Sequence, residues 1–294
     1  MHDHSHSKIN IKYLGIALVI TITFFVIELI GSFLTNSLAL LTDAWHMLND
    51  VLALTFALIA SWVARRPVSM KRTYGYYRAE ILSAFLNGIF LWAIVAFIFY
   101  EAFQRIQNPV EIRSLEMLLI ATLGLIANGL SALTLSRAES QSLNVKGAFL
   151  HVIADILGSV GAIFAGLVML FTGWYQVDSL FSIIIGVLIF HSSTKLIRDS
   201  LNILLEGVPF HIDLKDLEKK LLKFEEVKSV HDLHVWCITT DKMCCMSGHL
   251  VVKENIEQKE LLARLILMLK EDFGIDHTTI QLEESEYPKS SSEH

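Results

Sequence analysis

Two pairs of residues in this sequence have the types and spacing to hold a metal ion. His46 and Asp50 stand four apart, and so do His151 and Asp155. On a helix, residues at i and i+4 share a face, so each pair presents an imidazole beside a carboxylate. If the two faces meet, two nitrogens and two oxygens form a tetrahedral four-ligand set well suited to Zn²⁺. Asp43, three residues before His46, lies on the same face as an accessory acid.

The elements that must position these pairs are long and apolar. The chain has 294 residues, of which 53% are hydrophobic and 18% charged, and its mean hydropathy is +0.51. Such a composition places it in a membrane. Six apolar stretches, at 11–34, 38–63, 79–103, 115–135, 147–171 and 179–197, approach or exceed the roughly 20 residues a bilayer requires. The first pair falls in the second stretch and the second pair in the fifth. An ionisable group inside a span costs at least about 2.5–3.5 kcal/mol on insertion scales. One buried His–Asp couple can be no more than a packing device. Two matching couples on separate spans point to a metal carried through the bilayer.

Transport then follows from position and from proton chemistry. Imidazoles and carboxylates must shed protons to bind metal, so proton uptake on the far side would drive release. No Gly-x-x-x-x-Gly-Lys-Ser/Thr phosphate loop supplies another energy source. Two other readings use the same ligands: an intramembrane metalloenzyme and a metal sensor without flux. A catalytic zinc keeps an open position for water, whereas four protein ligands close the shell, and no His-Glu-x-x-His is present.

Positive charge gathers after the second span (Arg65, Arg66, Lys71, Arg72, Arg78), after the fourth (Arg137, Lys146) and after the sixth (Lys195, Arg198). The positive-inside rule then puts both termini in the cytoplasm. A net charge of −6 argues against nucleic acid as a partner. The three cysteines, Cys237, Cys244 and Cys245, are too few for a disulfide framework, and their odd number fits a reducing compartment. Met243-Cys244-Cys245-Met246 invites a copper reading, but neighbours in a strand point to opposite faces, so strand packing is the better account.

After Asp199 the long apolar runs stop. The periodicity predicts a helix over 213–224, strands over 227–239 and 244–253 around a turn at Asp241 and Lys242, a helix over 257–273 stopped by Gly274, and a last strand over 277–283. This α-β-β-α-β order describes a small α+β domain with its helices on one face of the sheet. The expected organisation is a His-rich N-terminal tail (1–10), a six-helix transmembrane domain (11–207), a C-terminal domain (208–286) and a disordered end (287–294). His2, His4 and His6 in that first tail could collect metal, a compositional hint only.

The run Ser37-Leu38-Ala39-Leu40-Leu41-Thr42-Asp43-Ala44-Trp45-His46-Met47-Leu48-Asn49-Asp50 resembles the signature of the cation diffusion facilitator family. Three further stretches match: Tyr74-Gly75-Tyr76-Tyr77-Arg78-Ala79-Glu80, His151-Val152-Ile153-Ala154-Asp155, and His231-Asp232-Leu233-His234-Val235-Trp236. The resemblance covers nearly the whole chain, in order. It implies an α-helical membrane protein of six spans with a metallochaperone-like cytoplasmic domain, forming a homodimer that exports divalent metal in exchange for protons. His–Asp pairs on both helices are similar to the zinc-preferring arrangement, with Cd²⁺ or Co²⁺ also admissible and no organic cofactor implied.

The resemblance also implies a cytoplasmic metal site at His231, His249 and Glu283, where Zn²⁺ would be regulatory, with His234 and His277 nearby. Lys259 and Gln281 stand where some members carry histidine, which argues for one site rather than a binuclear one. Arg78 matches a basic family position whose acidic partner here is Glu206, or else Asp199, in an ion pair expected to keep two protomers' membrane domains in register. The loop 65–77 has no His, Asp or Glu, so the accessory site some relatives place there is expected to be absent. The loop after the fourth span lacks the His-rich insertion common in eukaryotic relatives, which favours a bacterial plasma (inner) membrane protein.

Overall fold

The computed structural model describes residues 3–136, 143–240 and 242–284; within these, the side chains of 3–18, 54, 57, 135–136, 143–151, 154 and 242 fall outside the description. His2 and residues 287–294 are therefore outside it, as are the side chains of His4 and His6. Six long helices come first: α1 (Asp3–Thr35), α2 (Leu38–Ala64), α3 (Arg78–Gln107), α4 (Ser114–Ser136), α5 (Leu143–Thr172) and α6 (Gln176–Leu204). A short helix, two strands, a helix and a strand follow: α7 (Leu214–Leu221), β1 (Val227–Thr239), β2 (Lys242–Val252), α8 (Gln258–Phe273) and β3 (Ile275–Glu283).

Every apolar stretch read from the sequence is a helix, and most run a few residues past the expected ends. Among the described residues, five helices are long and apolar enough to cross a membrane, and Val19–Thr35 of α1 is a shorter apolar segment. Their outer faces carry large apolar side chains such as Phe33, Leu58, Trp62, Leu157 and Phe171 in the open. In water so much exposed apolar surface would drive association; in lipid it is the solvated face.

The chain divides into two compact units, Met1–Thr55 with Asn87–Thr194, and Phe56–Leu86 with Lys195–His294. In the first, α4 packs on α5 and on α1. Its main core joins Ala39 and Leu40 of α2, Met117 and Ala121 of α4, and Ala162, Ala165 and Met169 of α5. Small residues let these helices approach. A Cβ on Gly166 would lie 3.2 Å from Leu118, and one on Gly161 would lie 2.9 Å from Phe181 of α6. Along its length α6 changes partners: Val177 and Phe181 belong to that core, whereas Ile189 packs with Leu91 and Val95 of α3, and Phe190 stacks on Trp92 at 5.6 Å.

The second unit contains the α+β domain. Its sheet has the order β1-β2-β3, with β1 antiparallel to β2 and β2 parallel to β3. Leu217 and Leu221 of α7, and Leu261, Leu265 and Leu269 of α8, are buried with Val235, Met246 and Leu250 of the sheet. Full burial of each such leucine contributes about 1.5–3 kcal/mol. Asp213 caps α7, its carboxylate accepting from the Lys215 and Asp216 amides. Gly274 ends α8 at φ 66°, the left-handed conformation that glycine adopts without a Cβ clash.

Cys237 and Cys244 are directly opposed in the β1–β2 register, with their sulfurs in contact, and Cys245 is buried. The seven-residue separation of Cys237 and Cys244 folds back on itself at the hairpin, a pairing that the strand alternation alone did not reveal.

Candidate metal sites

Helices α2, α5 and α6 line a half-open cavity of ≈350 Å³, with Asp43 and His46, Asp155, Gly158 and Gly161, and α6 residues from Phe181 to Ser192 on its walls. The i, i+3 spacing on α2 turns Asp43 and His46 to one side, and the absence of a side chain at Gly158 leaves room there; a Cβ would come 3.8 Å from Asp43 Oδ1. The structure thus brings His46 and Asp155, from helices more than a hundred residues apart in sequence, to one cavity. Asp43, an accessory from the sequence, lines it too. Asp50 lies one turn further along α2, half-buried, and is not part of the lining. His151 falls one turn before Asp155 on α5, and its side chain is outside the described ones.

Glu28 of α1 is only 1% exposed. Its carboxyl is in hydrogen-bond contact with Asp43 and lies against the backbone at Gly124 of α4, where a Cβ would come 3.4 Å from Oε1. From the sequence, an acid this near the end of the first span could face the metal cavity, relay protons or simply reach the interface; the structure buries it beside Asp43.

A second cluster forms on the sheet. His231 on β1 and His249 on β2 are cross-strand partners, and their rings lie 5.1 Å apart. On β3, Gln281 is the partner of His249 and Glu283 follows two residues on, so the period of two keeps Glu283 on the same face. Glu283 Oε1 accepts from His249 Nδ1 at 2.7 Å and Oε2 from His231 Nε2 at 3.3 Å. Gln281 Nε2 also donates to Oε1, at 2.8 Å. One ligand atom from each of His231, His249 and Glu283 falls within 4.8 Å of the others, a spacing that suits one divalent ion with room for water as a further ligand. Burial works to raise the Glu283 carboxyl, but the hydrogen bonds from His249 and His231 outweigh it and hold it below the usual carboxylate range.

His234 reaches this cluster through Asp232, whose Oδ2 lies 3.9 Å from His249 Nε2. A bulge in β1 between His231 and His234 includes Asp232 at φ 53°, and His234 Nε2 donates to Asp232 Oδ1 at 3.0 Å on the exposed side. That bond holds the Asp232 carboxyl below its usual range. His277 meets the edge of the Tyr74 ring at 6.1 Å. Arg78, at the start of α3, donates to Glu206 Oε1 at 2.7 Å, and both side chains are exposed. The contact lies within one chain.

Sequence reasoning missed Asp178. It stands in the first turn of α6, fully buried, and its carboxylate accepts from Ser37 Oγ at 2.7 Å and from the amides of Leu38 at 2.6 Å and Ala39 at 3.2 Å. An acid at a helix start ordinarily serves its own helix; this one serves the N-terminus of α2. The available signal was the cost of an acid at the edge of an apolar run.

Comparison with known proteins bears on these sites. Residues 14–205 match the cation efflux transmembrane domain, and residues 209–285 match the cytoplasmic domain of cation efflux proteins. The chain is 45% identical over 283 residues to the metal cation efflux system protein CzcD of Cupriavidus metallidurans, covering 96% of this chain and 89% of that one. It is 42% identical over 286 residues to the cadmium, cobalt and zinc/H(+)-K(+) antiporter of Bacillus subtilis, covering 96% and 91%. Zinc transporter ZitB of Escherichia coli is 39% identical over 290 residues, covering 96% and 92%. Among solved structures, the metal-bound C-terminal domain of the CzcD transporter from Cupriavidus metallidurans matches at 38% identity, over 24% of this chain and 99% of that one, with a TM-score of 0.23.

Proposed function

Because the chain belongs to the cation efflux family, a multi-pass family of membrane transporters rather than enzymes, we propose that it exports Zn²⁺ from the cytoplasm in exchange for protons. His46, Asp50, His151 and Asp155 form the transport site. Cd²⁺ and Co²⁺ are further substrates, since nitrogen–oxygen sites seldom reject neighbouring metals by affinity alone. The carrying observation is the cavity that His46 and Asp155 share between apolar helices.

The chemistry follows from the ligands. A metal entering from the cytoplasm displaces protons from the imidazoles and carboxylates. When the site turns to the other side, protons return to those groups and the metal leaves. The small residues of α5 allow close helix contact, so modest helix movements can separate ligands carried on α2 and α5. Names of the relatives support this reading: one is a zinc transporter and another a cadmium, cobalt and zinc antiporter with protons and potassium.

His231, His249 and Glu283 would hold a regulatory zinc in the cytoplasmic domain, through which two copies of the chain associate. The protein would sit in a bacterial plasma membrane with both termini in the cytoplasm, in keeping with the basic loops and the bacterial relatives.

Simultaneous measurement of metal and pH tests the exchange. In proteoliposomes with a lumenal pH dye, zinc entry should raise lumenal pH as protons leave, in potassium-free buffer. Zinc entry without a pH change would leave export standing and remove the proton as counter-ion.

A further inference from the structure

We propose that Asp178 is the latch of the extracytoplasmic gate: its bonds to the start of α2 close one end of the metal cavity and must part for metal to leave. The inference rests on the transport reading above. It begins from a match between two groups that each need a partner. The first amides of a helix have no intrahelical acceptor, and at a membrane end such groups are costly to leave unpaired. Asp178, fully buried, is the acceptor for α2, receiving hydrogen bonds from Ser37 Oγ and the Leu38 and Ala39 amides. Ser37 Oγ in turn accepts from the Leu40 amide at 3.2 Å.

Position makes this cap a gate. The α2 lining of the cavity starts at Asp43, four residues past Ala39, or about 6 Å along the helix. The α6 lining starts at Phe181, three residues past Asp178, and there the ring closes on α5 at Gly161. On this proposal, a metal leaving by this end passes the Ser37–Asp178 contact. At the latch end Val177 and Phe181 of α6 pack into the α2, α4 and α5 core, whereas Ile189 further along packs on α3. The two ends of α6 thus have different partners, and the latch end can move against α2 only if this packing yields with the latch.

Polar chemistry also suits a joint that must open. An apolar seal exposes hydrocarbon on parting. Here water takes over as partner to both the carboxylate and the amides, so the open state is solvated and the closed state fully bonded.

The test locks the latch in the full-length protein. Ser37→Cys with Asp178→Cys is reconstituted and oxidised, with oxidised wild type as the control for the native cysteines. The cross-linked protein should bind Zn²⁺ as the wild type does but carry flux no faster than empty vesicles, and reduction should restore transport. Wild-type flux through the linked protein would make the contact a permanent joint and overturn the proposal. So would loss of zinc binding on linking, since the lock leaves the site untouched, or failure of the cysteines to link. Absence of flux in the wild-type control would instead indict the transport reading.

If the reduced double variant is itself inactive, a second measurement decides. Ile185→Cys places a thiol in the cavity, and a membrane-impermeant thiol reagent is applied to the extracytoplasmic side. Adding Ser37→Ala should raise the labelling rate about tenfold, the shift expected for one lost charge-assisted hydrogen bond. An unchanged rate would overturn the gate.

Discussion

The cavity between α2 and α5 and the cluster on the sheet use the same ligand types in opposite settings. In the membrane unit, imidazole and carboxylate come from two separate helices, α2 and α5. In the cytoplasmic domain, His231, His249 and Glu283 come from three strands held in one ladder. Helices can tilt or slide apart without breaking their internal hydrogen bonds, whereas strands cannot part without losing the ladder. On the proposed transport reading, ligands that release a metal sit on the first scaffold and ligands that keep one sit on the second.

Breaking each site should therefore have unequal consequences for flux. The largest effect is expected at His46. Loss of a second-shell partner alone costs roughly 10–100-fold in metal affinity, so His46→Ala should lower zinc flux by at least about 100-fold, measured in vesicles at sub-saturating metal. Gly161→Leu comes next. Its side chain would meet Phe181, already 2.9 Å from the position of a Cβ, and overpacking of this kind costs about 1–3 kcal/mol. Thermal melting in detergent should show the destabilisation, and flux should fall as the cavity narrows.

At His249 the two sites should separate. His249→Ala should remove zinc bound by the cytoplasmic cluster, counted by competition with a chelating dye, while flux falls by no more than about threefold, since no ligand of the membrane site is touched. Flux that falls as far as in His46→Ala would mean the sheet cluster lies on the transport route, and the contrast would fail. Arg78→Ala should matter least. Its pair with Glu206 is exposed on both sides, and such pairs are worth about 0–1 kcal/mol, so the melting temperature should barely move.

The same contrast explains what the sequence made legible. The His46–Asp50 and His151–Asp155 pairs announce themselves because four residues are one helical turn, and because ions are conspicuous in apolar runs. The six spans are visible for the same reason. The strands of the cytoplasmic domain show through their β-branched residues, and Gly274 marks the end of α8. The sheet cluster has no such local signature: Glu283 is 52 residues from His231, and only family resemblance joined them. Asp178 was invisible because its partners lie about 140 residues away. Glu28 was ambiguous because its burial depends on which face of α1 meets α4. The Cys237–Cys244 contact depends on hairpin register, which alternation alone does not fix.

The most direct test of the account is zinc flux into proteoliposomes under an imposed pH gradient, comparing wild type with Asp155→Ala. The account predicts flux that follows the gradient in the wild type and vanishes in the variant while the protein stays folded. Flux that persists in Asp155→Ala would make the intramembrane pairs structural and contradict the transport site.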